Sequence, residues 1–295
     1  MTLDRERGQC PLCEGLAQPK VATWSFHCVS CDHWFCNAKA ELGTEDERFF
    51  TQCGAEDDPL EHLEGLRRRN FATVIQALSG LGIANGRILD VGCASGLFLD
   101  MAGEQGFTPL GVEPKKRMAN TARSRGVDVR IGLFPEALGP NERFRAIVFN
   151  DVLEHIGPVA EILAGCMRHL ESGGLVIVNL PNAHGLLFKI ACILYRLGIN
   201  RPYERLWQRM FYTPHLHYFS RRSLALLAER QGFRLVCPPI ALPTLAVRGL
   251  WKRLEADHGL GLGGQLVQFL AALILLPFSA LAPDTQVVFL ESANG

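Results

Sequence analysis

The sequence has no excess of charge of either sign, because 30 Lys and Arg residues balance 30 Asp and Glu residues in a chain of 295. Net charge therefore gives no indication of a polyanionic partner. Internal repeats and low-complexity tracts are also missing. Hydrophobic residues make up 48% of the chain and charged residues 20%, a composition typical of a folded globular protein. The length leaves room for one large α/β domain and a small accessory module.

Long apolar segments are scarce as well. The first ten residues, MTLDRERGQC, contain no apolar stretch of the kind found in secretory signals, so we expect a cytoplasmic protein. The most apolar run, 266–282, is shorter than the roughly 20 residues of a membrane-spanning helix, and Pro277 interrupts it. A buried or interfacial helix is expected there. Peripheral contact with the inner face of the membrane remains an open alternative.

The cysteines are concentrated near the start of the chain, where six of the ten precede residue 54. A reducing cytoplasm makes disulfides unexpected. Two C-x₂-C pairs, separated by fourteen residues, place four thiols at the spacing of a zinc ribbon: Cys10, Cys13, Cys28 and Cys31. We therefore predict that these four bind one structural Zn²⁺ in a closed tetrahedral site. Replacement of one ligand by Cys36, His27 or His33 is left open.

Beyond the cysteine cluster, the hydrophobic pattern predicts alternating helices and strands. A helix is predicted from Asp58-Pro59, an N-cap with proline at the first helical position, to about Ser79. Short apolar strands follow, separated by helices, and this order indicates a parallel sheet covered on both faces. The predicted strands are 87–91, 110–112, 127–131, 146–150, 175–180, 233–238 and 285–291. We divide the chain into a ribbon module, 1–57, and a larger domain, 58–295, with apolar inserts near 183–220 and 243–283.

The most informative segment is ILDVGCASGLFL, residues 88–99. A buried strand passes into a turn of small residues, in which Gly92 and Gly96 remove the Cβ atoms that would keep a ligand from the backbone. A helix then begins, with unpaired N–H groups at its start. About twenty residues later Glu113 ends the next strand, where a carboxylate can accept both hydroxyls of a ribose.

This segment resembles motif I of class I S-adenosylmethionine-dependent methyltransferases. The turn is G-x-x-x-G with an acid two residues before it, which differs from the dinucleotide fingerprint. The resemblance implies a Rossmann-like, seven-stranded, mostly parallel sheet and S-adenosylmethionine as cofactor. It places Asp90 near the methionine amino group, Asn150 and Asp151 near the methionine end, and Leu133 near adenine. The cofactor-binding residues that it implies are Asp90, Gly92, Cys93, Ala94, Gly96, Glu113, Pro114, Leu133, Asn150 and Asp151.

Three histidines are candidates for the acceptor side. His155 follows the fourth strand, and the string PHLHYFS contains His215 and His217. Histidine suits a general base because its pKa lies near neutrality. Structural roles for all three are the alternative. In an extended segment His215 and His217 would point to one side, but as a metal site the pair lacks an identifiable third ligand.

Three functions are compatible with these features. The first is methyl transfer to a small-molecule, saccharide or membrane-proximal lipid-linked acceptor, a type found among cell-envelope enzymes of bacteria. The second is ribosomal RNA methylation, which the N-terminal ribbon suggests. Residues 1–60 oppose that idea, since they carry eleven acids against five Lys and Arg residues, and phosphate binding favours a basic face. The third is a non-catalytic scaffold that binds the cofactor.

Overall fold

The computed structural model describes residues 8–38, 64–209, 211, 213–243 and 282–293. Twelve strands lie within these ranges: β1 Ala17–Pro19, β2 Ser25–Cys28, β3 His33–Cys36, β4 Gly86–Val91, β5 Phe107–Glu113, β6 Val129–Ile131, β7 Phe144–Asn150, β8 Leu170–Pro181, β9 His217–Tyr218, β10 Phe233–Leu235, β11 Ile240–Leu242 and β12 Thr285–Ser292. The helices are α1 Glu64–Gly80, α2 Leu97–Glu104, α3 Lys116–Ser124, α4 Val159–His169, α5 Leu186–Arg196, α6 Arg201–Leu206 and α7 Arg221–Arg230, with a 3₁₀ turn at Leu153–His155.

The large sheet has the predicted Rossmann-like arrangement. Its strand order is β10-β12-β8-β7-β4-β5-β6. The five strands from β8 to β6 are parallel, whereas β12 is antiparallel to β8. An eighth strand, β11, was not predicted. It pairs with the start of β12, whereas β10 pairs with the end of β12. Two short strands therefore lie one after the other along the same edge of β12.

Apolar residues on both faces of the central strands explain why this sheet is buried. Leu89 and Ile147 belong to one hydrophobic core, while their neighbours Ile88 and Val148 belong to the other. Successive side chains of a strand point to opposite faces, so a continuous apolar run supplies both cores. Because β4, β5 and β7 are parallel, their carboxyl ends lie at one edge of the sheet. The candidate site lies at this edge.

The small sheet joins the N-terminal cysteine segment to the rest of the molecule. β1, β2 and β3 form an antiparallel meander, and β3 pairs in turn with β9. Side chains strengthen this contact: Tyr203 Oη donates to Ser25 Oγ at 3.0 Å, and Arg230 Nη1 donates to the carbonyl of Leu12 at 2.7 Å. Phe26 and Phe35 belong to the same core as the central strands. The ribbon therefore shares its packing with the large domain.

Several sequence predictions fall on residues beyond these ranges. The start of the first predicted helix, at Asp58-Pro59, and the apolar run 266–281 lie outside the described residues. Within the described part of the chain, none of the helices has the length and apolarity needed to cross a bilayer.

Candidate active site

The loop after β4 adopts backbone conformations that favour small residues. Gly92 has φ +73 and Gly96 has φ +84, and Ala94 also has a positive φ of 48. A Cβ atom on Gly92 would lie 2.7 Å from Cγ2 of Val152, and one on Gly96 would lie 3.0 Å from Cβ of Ala122. The sequence predicted a tight turn from strand to helix, and the turn is this compact because its glycines pack against side chains behind it.

Replacing Gly92 with alanine is expected to destabilise the protein more than replacing Gly126. Both glycines have positive φ, +73 and +85, but a Cβ on Gly126 meets no atom of the described residues within 4 Å. The backbone strain is similar in the two variants, so the clash with Val152 leaves a difference of about 1–3 kcal/mol in the free energy of unfolding. Urea unfolding measures it. Equal losses at the two sites would contradict this packing of the loop.

Asp90 is a buried acid beneath the loop. Its side chain is 2% exposed, and Nδ2 of Asn150 donates to Oδ1 of Asp90 at 3.3 Å. Burial raises the pKa of Asp90 to about 8, although the hydrogen bond from Asn150 opposes the shift. Oδ1 of Asn150 is itself buried without a hydrogen-bond partner in the described part of the chain. The pair therefore presents unused hydrogen-bonding capacity at the end of β4 and β7.

This buried acid should make stability depend on pH. Between pH about 4, where an unfolded aspartate ionises, and the raised pKa of about 8, the folded protein retains a proton that the unfolded chain releases. The free energy of unfolding therefore falls as pH rises through this window. We expect Asp90→Asn to flatten the fall, measured by urea unfolding of cofactor-free protein at several pH values. Parallel curves for variant and wild type would disprove this assignment.

Glu113 connects the end of β5 to the glycine loop. Its Oε2 accepts from the N–H of Ala94 at 3.0 Å and its Oε1 accepts from the N–H of Lys115 at 2.9 Å. Burial raises the pKa of Glu113, and these two backbone donors partly counter the rise. Each carboxylate oxygen retains further acceptor capacity. The carboxylate is thus fixed at the same edge of the sheet as Asp90.

A small cavity lies between the glycine loop and α1. Its lining includes Asp90, Asn150 and four residues of the loop, together with Arg67 and Phe71 from α1. Arg67 was not among the residues predicted for the site, although it lines this cavity. Its guanidinium lies 5.7 Å from the ring centre of Phe71, four residues later on the same helix face, and its charge acts to lower the pKa of Asp90. The spacing of Arg67 and Phe71 is the signal that could have revealed this orientation.

The other predicted cofactor residues are distributed along the same edge. Cys93 is buried in the loop. Its Sγ lies 2.5 Å from the position that a Cβ atom on Gly111 would occupy. Pro114 directly follows β5, Leu133 is 49% exposed after β6, and Asp151 follows β7 with a positive φ of 55. The structure therefore brings the predicted set together at the carboxyl ends of β4, β5, β6 and β7.

Two of the three candidate histidines form a pair beside the 3₁₀ turn. The rings of His155 and His215 are 4.7 Å apart and nearly perpendicular. Nδ1 of His155 lies 2.9 Å from the carbonyl of Pro214, and Nδ1 of His215 lies 3.4 Å from Oη of Tyr218. Burial lowers the pKa of both imidazoles, so both are neutral near pH 7.

His217 lies apart from this pair. Its Nδ1 is 3.0 Å from Nε2 of His33 in the ribbon, and its Nε2 is 3.1 Å from the carbonyl of Ile156. The side chain is 2% exposed. The expectation that both histidines of PHLHYFS point to one side applied to an extended segment, and only His217 lies in β9. This enclosure favours a structural role for His217, which joins the ribbon to the chain segment after β7.

The four predicted zinc ligands form a compact group. Each offers one sulfur, and these atoms lie within 4.8 Å of one another. Cys10 and Cys31 are 3.5 Å apart, and Cys13 and Cys28 are 3.4 Å apart, between Sγ atoms. Thiolates around Zn²⁺ at about 2.3 Å would be about 3.8 Å apart. The three alternative ligands are engaged elsewhere: Cys36 with the carbonyl of His215, His27 with Asp32, and His33 with His217.

Comparison with known proteins gives one family match. The model of the family described as "Methyltransferase domain" matches residues 63–237. This range contains both acids of the candidate site, the glycine loop and all three candidate histidines.

Curated relatives share part of this range. The ubiquinone biosynthesis O-methyltransferase of Alkalilimnicola ehrlichii is 27% identical over 183 residues, which are 59% of this chain and 72% of that protein. The enzyme of the same name from a Bradyrhizobium strain is 30% identical over 128 residues, 41% of this chain and 48% of that protein. The chain thus spans about half the length of this second relative.

Solved structures share the fold. The magnesium protoporphyrin IX methyltransferase of Synechocystis with bound SAH aligns with a TM-score of 0.52 at 10% identity, over 82% of this chain and 92% of that one. A SAM-dependent methyltransferase of Archaeoglobus fulgidus aligns with a TM-score of 0.50 at 16% identity, over 84% of this chain and 100% of that one. At such low identity these likenesses concern the fold alone.

Proposed function

The chain belongs to the methyltransferase-domain family as a class I S-adenosylmethionine-dependent enzyme, and from this premise we propose that it methylates an oxygen of a small-molecule acceptor. The observation that carries the proposal is the pair of buried acids, Asp90 and Glu113, on either side of a glycine loop at one edge of the sheet. The names of the curated relatives support an oxygen as the methylated atom.

We assign each part of the cofactor to residues at this edge of the sheet. Glu113 would accept the ribose hydroxyls, which suits a carboxylate whose backbone contacts already fix its orientation. Asp90 and the amide oxygen of Asn150 would receive the methionine ammonium group, which also supplies the donors that this buried pair lacks. Leu133 and Pro114 would border the adenine.

Methyl transfer requires little chemistry from the protein beyond positioning. The acceptor hydroxyl would give its proton to a neutral imidazole, its oxygen would form a bond to the methyl carbon, and the carbon–sulfur bond would break to leave S-adenosylhomocysteine. His155 and His215 are the predicted catalytic residues that flank the same edge of the sheet. They are therefore our candidates for contact with the acceptor oxygen.

The acceptor is proposed to be apolar, such as a quinone-like or lipid-linked compound. Ile193, Leu197 and Ile199, on and after α5, are 55%, 71% and 51% exposed. Helix α5 follows β8, which ends at the same edge as the candidate site. This exposed apolar surface supports a peripheral position at the inner face of the membrane, where such acceptors are found.

We also propose one structural Zn²⁺ on Cys10, Cys13, Cys28 and Cys31. The described ribbon strands are three or four residues long, and so short a segment needs a metal to hold its two loops together. A closed Cys₄ site leaves no position for a catalytic water.

The test is transfer of a labelled methyl group from S-adenosylmethionine to a panel of acceptors. The panel contains a catechol with a prenyl tail, the same ring without the tail, a saccharide and ribosomal RNA. We expect labelled methyl ether on the tailed catechol and less on the untailed one. Label on the RNA, or tight cofactor binding without any transfer, would instead support an RNA methyltransferase or a scaffold. The control variant Glu104→Gln, on an exposed helix end away from the site, should transfer the methyl group as the wild type does.

A further inference from the structure

A second group of metal-ligating side chains lies beside the candidate active site. Glu154, His155 and His215 each offer one ligand atom, and these atoms lie within 4.8 Å of one another. As a metal site the sequence pair His215 and His217 lacked an identifiable third ligand, and the structure groups His215 with His155 instead. The fold supplies a third ligand by bringing the turn after β7 against the segment before β9, where the N–H of Leu216 donates to the carbonyl of Glu154 at 2.7 Å.

The carboxylate of Glu154 has no hydrogen-bond partner among the residues that the structure describes. The residue is 0% exposed, and both of its carboxylate oxygens are buried without a described partner. Burying an ionised carboxylate costs several kcal/mol unless a counter-charge or donors compensate. A cation between Glu154 and the two imidazoles would provide the missing partner.

Both histidines are oriented as metal ligands usually are. A carbonyl oxygen only accepts, so Nδ1 of His155, at 2.9 Å from the carbonyl of Pro214, carries the proton. Oη of Tyr218 donates to the carbonyl of Leu206 at 2.8 Å and can accept from Nδ1 of His215. With Nδ1 as the donor, each ring would offer the lone pair of Nε2 to a cation. Ligating histidines are typically fixed in this way by an acceptor on their second nitrogen.

We propose that Glu154, His155 and His215 bind a divalent transition-metal cation whose open coordination positions receive the acceptor oxygen. Two imidazoles and one carboxylate suit Zn²⁺, Mn²⁺ or Fe²⁺ and leave positions for an outside ligand. The site is at the correct edge of the sheet, because Glu154 follows Asn150, the end of β7, by four residues. The acceptor part of the proposal rests on the proposed function, whereas the cation part does not.

Cobalt binding tests the cation part without any turnover. The full chain is first loaded with a single equivalent of Zn²⁺, which the soft thiolates of the ribbon retain, and is then titrated with Co²⁺. We expect one equivalent of Co²⁺ with weak visible bands and without thiolate-to-metal charge-transfer absorption. Glu154→Leu and His215→Ala should abolish this uptake, and Glu229→Gln, on the exposed end of α7, should retain it. Leucine is used because an apolar side chain leaves no buried amide unpaired.

Tyr218→Phe tests whether Tyr218 positions His215. The change removes the hydroxyl that can accept from Nδ1 of His215, and it should weaken Co²⁺ binding by about 10-fold or more. Wild-type protein that is folded by circular dichroism and takes up no Co²⁺ beyond the ribbon overturns the proposal, as does unchanged affinity in Glu154→Leu. Addition of catechol should shift the cobalt bands. Unchanged bands would overturn the acceptor part and leave the metal site standing, and loss of methyl transfer alone would affect only the proposed function.

Discussion

Replacing Cys13 with serine is expected to remove zinc from the ribbon and to unfold β1, β2 and β3 while the central sheet remains folded. A structural zinc contributes about 10–16 kcal/mol to the folding of isolated zinc-finger peptides near pH 7, and Cys13 is one of the four thiols in the cluster. Hydrogen exchange monitored by mass spectrometry measures the result: amides of Ser25–Cys28 and His33–Cys36 should lose protection, and those of β4 and β7 should keep it.

The matched control is Cys237→Ser. Cys237 is also incompletely buried but packs against the core that contains α1 and β11, away from the ribbon. Its variant should bind zinc as the wild type does. Retention of thiolate-bound metal in Cys13→Ser, recorded as charge-transfer absorption of the cobalt-substituted protein, would refute the proposed ligand set.

Replacing Glu113 with glutamine is expected to weaken binding of S-adenosylhomocysteine by about 100-fold, or about 3 kcal/mol. A hydrogen bond to a charged group contributes roughly 1.5–3 kcal/mol, and two ribose hydroxyls would lose a charged acceptor together. The neutral amide also repels one of the two N–H groups that orient the carboxylate, those of Ala94 and Lys115. Isothermal calorimetry with the product, which does not turn over, gives the affinity directly.

Glu104→Gln serves as the control for this loss too, because Glu104 ends α2 at the exposed surface. Its affinity for the product should equal that of the wild type. A change of less than about threefold in Glu113→Gln, under 1 kcal/mol, would mean that Glu113 serves the loop alone and that the ribose is held by other groups.

The elements that sequence reasoning located best are those whose signals are local. The strand, glycine turn and helix of residues 88–99 follow from hydrophobic pattern and residue size, and the structure has β4, the loop and α2 there. In contrast, Ile240–Leu242 was missed as a strand because it is only three residues long and lies between Pro239 and Pro243. Its pairing with β12 depends on residues more than forty positions later.

Long-range contacts also limited what the sequence could predict about the candidate site. Arg67 was not predicted as a site residue because three adjacent arginines are equivalent in the sequence, whereas in the structure Arg67 lines the cavity. Glu154 was not considered as a ligand, since nothing in the sequence shows that it approaches His215, 61 positions later. The contact of His217 with His33 accompanies the pairing of Phe35 with His217, which an alternating pattern alone does not predict.

The pairing of β3 with β9 determines how the protein can be dissected. A boundary at residue 57 separates the ribbon in chain order, but the outermost strand of the ribbon sheet comes from residues 217–218. A truncated chain starting at residue 58 would leave an unprotected strand edge and would expose aromatic surface at Tyr218 and Phe188, both now covered by the ring of Trp34. Such a product is expected to self-associate, so the two parts should be expressed as one polypeptide or co-refolded.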